Sequence, residues 1–140
     1  MKTGTNNSYK PILTIIIIIV LGVVVFIGSR ENNITITEQS IKISGMYGMD
    51  INVKDIQLVE LRENAPRVIN KINAIDIPFL KKGTFKLEEF ERAKLFIHST
   101  SGPYLIIISD LDTIIMSFKD PDHTTNIYNE IKAVMLDNGR

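Results

Sequence analysis

The sequence predicts a mainly β domain, a bent sheet or partly open barrel of about seven strands. A C-terminal amphipathic helix caps it and one N-terminal transmembrane helix precedes it. Three observations carry this expectation. The run from Pro11 to Ser29 holds no charged residue. Beyond residue 33, apolar residues recur at period two, the spacing of half-buried strands. From Asp120 onward they recur at helical spacing, giving one apolar stripe.

Composition narrows the classes that fit. A length of 140 residues suits one domain. Sixteen Lys+Arg balance sixteen Asp+Glu, so no global field favours nucleic acid. The absence of cysteine excludes a disulfide scaffold, thiolate metal sites and thiol catalysis. The mean hydropathy of +0.10 is high for a soluble chain, and the isoleucine-rich run accounts for it.

The apolar core of that run, residues 12–27, spans about 24 Å at ~1.5 Å per residue, and polar flanks extend it to a bilayer crossing. Isoleucine and valine are poor helix formers in water. In lipid the helix is still chosen, because no other single segment satisfies its own backbone polar groups. Lys2 and Lys10 ahead of an apolar stretch also fit a signal peptide. The stretch is too long for one, however, and Phe26 and Ile27 stand where cleavage needs small residues. The reading is an uncleaved single-pass anchor in the cell membrane. Lys2 and Lys10 against Arg30 tilt the count towards the tail inside and the domain outside.

Residues 1–10 are then a short polar tail, 11–28 the transmembrane helix, 29–33 a linker and 34–137 the domain. Ile34 and Ile36, then Ile41 and Ile43, alternate with polar residues around a turn at Thr37–Ser40. Gly45-Met46-Tyr47-Gly48 breaks the pattern. Met49, Ile51 and Val53 resume it, and Ile56–Leu61 reads as another strand. Asn64-Ala65-Pro66 is a break, and residues 68–77 fit a strand or a short helix. Pro78 and Lys81-Lys82-Gly83 read as loop, Thr84–Leu87 as a short strand, and Glu88–Glu91 as a turn or a single helical turn.

Three strong strands follow, at Lys94–His98, Tyr104–Ile108 and Thr113–Phe118. Their near-continuous apolar content calls for burial on both faces, by an opposing sheet and by a covering helix. Asp120 as N-cap, Pro121 at the first helical position and Asp122 near the positive dipole end start the last helix. Its stripe is Ile127, Tyr128, Ile131, Val134 and Met135, and Asn138-Gly139 stops it.

Ile41-x-Ile43-x-Gly45-x-Tyr47-Gly48-x-x-Ile51, the later Gly83-x-Phe85, and Pro103-Tyr104-x-Ile106-x-Ile108 through Phe118-x-Asp120, Thr124, Tyr128 and Ile131 carry a resemblance. In order and spacing they resemble the bacterial pleckstrin-homology-like domain, over residues 34–135. The resemblance implies a non-catalytic scaffold behind a membrane helix. Eukaryotic relatives bind phosphoinositides through basic residues on the first hairpin. Here that turn is Thr37-Glu38-Gln39-Ser40, and the tryptophan typical of their helix is missing.

The residues offer little chemistry. His98 and His123 are the two histidines, and no G-x-S-x-G elbow accompanies Ser99-Thr100-Ser101. Asp110-x-Asp112 and Asp120-x-Asp122-His123 lack the Gly and Glu of a calcium loop and suit a turn and a helix cap. Gly45-x-x-Gly48 has no Lys-Ser/Thr to make a phosphate cradle. Arg62, Arg67, Lys71, Lys81 and Lys82 form a mixed basic stretch that a solvated face explains. The expected protein is therefore not an enzyme, with no catalytic, cofactor or metal residues and no cofactor. Its partners are the membrane, through residues 12–27, and an unidentified protein, a second copy of the chain included. Nucleic acid and specific lipid are not expected partners. The alternative is a bacteriocin immunity protein guarding the producer's membrane, which fits the same plan of one anchor and one compact domain.

Overall fold

The computed structural model describes residues 9–139. It divides into a first unit ending at Arg30 and a second from Glu31 onward. The tail read at 1–10 lies outside the described residues up to position 8.

The first unit is α1 (Tyr9–Gly28), twenty residues and so about 30 Å long. It is long and apolar enough to cross a membrane. Its start lies two residues before the expected Pro11. That proline falls among the first N–H groups of the helix, which have no acceptor four residues back, so nothing is lost. The Thr14 hydroxyl donates to the Lys10 carbonyl at 3.0 Å, hiding the one polar side chain of the core.

The second unit opens with a three-stranded antiparallel sheet, β1 (Ile34–Ile36), β2 (Ser40–Ile43) and β3 (Met49–Asn52). Ile36 faces Ile41, and Ile41 faces Ile51, so the alternating isoleucines make one apolar face. The supposed linker contributes to this unit. Asn32 is buried, and its amide donates to the carbonyls of Ser44 (2.8 Å) and Met46 (3.1 Å).

A 3₁₀ turn at Val53–Asp55 redirects the chain into β4 (Ile56–Arg62). Then come β5 (Val68–Ile77), β6 (Leu80–Leu87), β7 (Ala93–Ile97), β8 (Tyr104–Ser109) and β9 (Thr113–Ser117). They form a six-stranded sheet in the order β4-β8-β9-β7-β6-β5. All neighbours are antiparallel except β7 and β9. The domain is mainly β and closed by a C-terminal helix, as expected. The described strands number nine, in two sheets, because residues 68–77 are strand and the 3₁₀ turn separates the first three strands from the rest.

The alternation of β7–β9 divides two cores. Phe96, Leu105, Ile107, Ile114 and Met116 face the three-stranded sheet and α2 (Pro121–Asn138), where Ile127 and Ile131 are buried. Leu95, Ile97, Tyr104, Ile106 and Ile115 face the other way, together with Phe85 and Leu87 of β6. The small sheet and the helix thus cover the same face, which corrects the expectation of one cover per face. The second face is packed by Phe85 and Leu87 of β6, with Val68 and Ala74 of β5 against them.

Gly83 lets the β5 backbone approach β6 closely. Its φ is +120°, and a Cβ there would meet the Asn73 carbonyl and come within 2.7 Å of the Ala74 Cα. The α2 caps are those read from the sequence. The Asp120 carboxylate accepts from the Asp122 N–H at 3.0 Å, and the Gly139 N–H donates to the Met135 carbonyl at 3.1 Å. Asn138 ties the helix end to the first hairpin by donating to the Glu38 carbonyl at 2.7 Å.

Candidate functional site

The polar residues singled out in the sequence are held in structural roles. Asp110 accepts from Gln57 Nε2 at 2.6 Å. The Asp112 carbonyl accepts from the Ser109 N–H, and the Ser109 hydroxyl accepts from the Asp112 N–H at 3.1 Å, closing the β8–β9 turn. Among the described residues, no group of three or more His, Cys, Asp or Glu side chains converges. The Gly48 N–H donates to the Gly45 carbonyl at 3.0 Å, so the Gly45–Gly48 segment is a turn. His123 is exposed and stacks on Phe118, with ring centroids 4.2 Å apart.

His98 differs. It follows β7, is only 6% exposed, and its Nε2 is buried with no hydrogen bond. Its backbone N–H donates to the Ser117 carbonyl at 3.0 Å. Burial lowers its pKa from 6.5 to about 4; Lys82 and Lys119 push the same way and Glu31 opposes them. The imidazole is therefore neutral at pH 7. The neighbouring Ser99 hydroxyl donates to the Ser101 carbonyl at 2.8 Å, in a local turn.

The basic stretch does not converge on one exposed patch. Arg62 bridges Glu60 (2.6 Å) and Glu89 (2.7 Å). Lys81 pairs with Asp76 across β5–β6. Lys82 is 1% exposed on β6, where burial lowers its pKa and Glu31 offsets part of that. Arg67 and Lys71 are exposed.

The feature with the character of a binding surface is apolar and lies on β5, an edge strand. Ile69 (59% exposed), Ile72 (58%) and Phe79 (61%) stand on β5 and on the turn that follows it. Contiguous exposed apolar surface marks interaction sites, and these three residues belong to one edge strand and its turn. Ile69 and Ile72 are the extra residues of two β-bulges, since pairing with β6 passes from Val68 to Asn70 and from Lys71 to Asn73. Beside the turn lies a groove of about 170 Å³, lined by Pro66, Val68, Phe79, Leu80, Ile97 and Tyr104 among others. The sequence left 68–77 undecided because those two bulges break the period-two pattern. No family model, curated protein or solved structure matches this chain.

Proposed function

We propose that the chain is a single-pass membrane protein whose C-terminal domain acts without catalysis, through protein contacts at the membrane. The observation that carries this reading is the exposed apolar edge formed by β5 and Phe79, on a unit preceded by a helix of membrane-spanning length. The bacterial pleckstrin-homology-like resemblance supports it. A mainly β domain with an amphipathic helix as its last element is the plan that resemblance implies. The charge count around α1 favours the domain outside the cytoplasm.

Two measurements test it. The full chain should stay with the membrane pellet at alkaline pH, and a mature N-terminus near residue 30 would overturn the anchor. A photo-reactive benzoylphenylalanine at Phe79 or Ile69 in living cells should give protein adducts that the same group at Lys54 does not. Adducts absent at both apolar positions, or formed with lipid only, would overturn the reading.

A further inference from the structure

We propose that the partner met by the β5 edge is a second copy of this chain, paired antiparallel about a twofold axis at Ala74. This inference rests on the preceding reading and names its partner.

The argument comes from the phase of the strand. Lys71 lies opposite Phe85 and Asp76 opposite Lys81; Phe85 and Lys81 in turn pair with Ala93 and Ile97 of β7. Ala93, Leu95 and Ile97 all belong to the second core, so Lys71 and Asp76 stand on the same face of the sheet. Five positions apart, they would point to opposite faces of a regular strand. The extra residue at Ile72 brings them into phase.

A twofold axis at Ala74 then places Asn73 opposite the second copy's Ile75 and Lys71 opposite its Asp76. Asn70 falls opposite its Ile77. Every opposed pair shares a face, as antiparallel pairing requires. The Lys71–Asp76 pair forms twice, and each Asp76 sits between its own Lys81 and the other copy's Lys71. Ala74, with the smallest side chain of the strand, occupies the axis where two identical residues meet. Ile72, which projects from the bulge into solvent, is covered beside the second copy's Ile75.

The same geometry disfavours other occupants. A bulged edge does not accept a regular strand along its length. An arbitrary extended segment also lacks the matched charges. A second copy brings the same bulge and the same charges to the symmetric position, which makes a closed, isologous pair. Two chains anchored in one bilayer also meet at a raised effective concentration.

The chain has no cysteine, so introduced thiols report only the designed contact. The full-length Lys71→Cys and Asp76→Cys variants should be produced together in membranes and mildly oxidised. Their mixture should give disulfide-linked dimer at about ten times the yield of either variant alone. Opposed residues lie within disulfide reach, whereas two Lys71 positions would be about 13 Å apart. Asn70→Cys with Ile77→Cys provides a second pair in the same register, should the first perturb the strand. Yields no higher in either mixture than in the single variants would overturn the proposal. Benzoylphenylalanine at Ile72 separates the two levels of the argument. An adduct of twice the chain mass supports self-pairing. An adduct with another protein, alongside failed cysteine pairs, overturns self-pairing and leaves the protein-contact reading standing; no adduct overturns both.

Discussion

Ile131→Asp should unfold the domain. Ile131 is 0% exposed, in the middle of the α2 stripe, within the core shared by both sheets. The substitution removes a buried aliphatic side chain, at about 3 kcal/mol, and leaves a carboxylate among apolar atoms, at several more. The sum is comparable to the whole stability of a domain this size, about 5–15 kcal/mol. Thermal unfolding of the full chain in detergent, followed by tyrosine fluorescence, reads the effect. A midpoint lowered by about 20 °C or more is expected. Lys132→Ala, one position away and off the stripe, should change stability by about 0.5 kcal/mol or less. An Ile131→Asp protein melting within a few degrees of the parent would show that the helix is not docked.

The second large effect is a loss of stability in mild acid that traces to one residue. His98 has a pKa of about 4 in the folded chain against 6.5 when unfolded. Between those values the unfolded chain binds a proton that the folded chain does not, so stability rises with pH across that window. Its contribution is complete above 6.5 and gone below 4, and amounts to about 3 kcal/mol. Denaturant titrations of the full chain at pH 7 and pH 4.5 should show the decline, and His98→Gln should remove most of it. The groups acting on the ring are Lys82, Lys119 and Glu31, so Lys82→Met should raise the ring pKa seen by NMR. A parent and a His98→Gln protein with parallel pH profiles would mean that the ring is solvated.

What was legible in the sequence was whatever local periodicity specifies. The uncharged run gave α1, the stripe from Ile127 to Met135 gave α2 with its caps, and the short, near-continuous apolar runs gave β7, β8 and β9. Lys81-Lys82-Gly83 was misread as loop because two lysines and a glycine look like a break. In the fold, Lys82 is buried and its charge is met by Glu31, about fifty residues earlier, which no local window contains. Asn32, in the stretch read as a linker at 29–33, is likewise fixed by carbonyls at 44 and 46, beyond any local window. The candidate surface was hidden for two reasons. Bulges at Ile69 and Ile72 blur the strand, and which strand lies at an edge follows from the order of the whole sheet.

That strand order also bears on how the domain reaches its native state. The last strand in the chain, β9, is an interior strand, seated between β8 and β7. Until Thr113–Ser117 is in place, the strands of this sheet can pair only as two separate pieces, a β4–β8 ladder and a β5–β6–β7 meander. Both expose unpaired backbone edges of strongly apolar strands, the kind of surface that associates wrongly. Closure is set by non-local pairing, which places folding in the slow regime of β-rich domains, about milliseconds to seconds. Any chain truncated before residue 113 loses the connection between the two halves and not just one strand. For this topology, closure of the six-stranded sheet waits until β9 has been made.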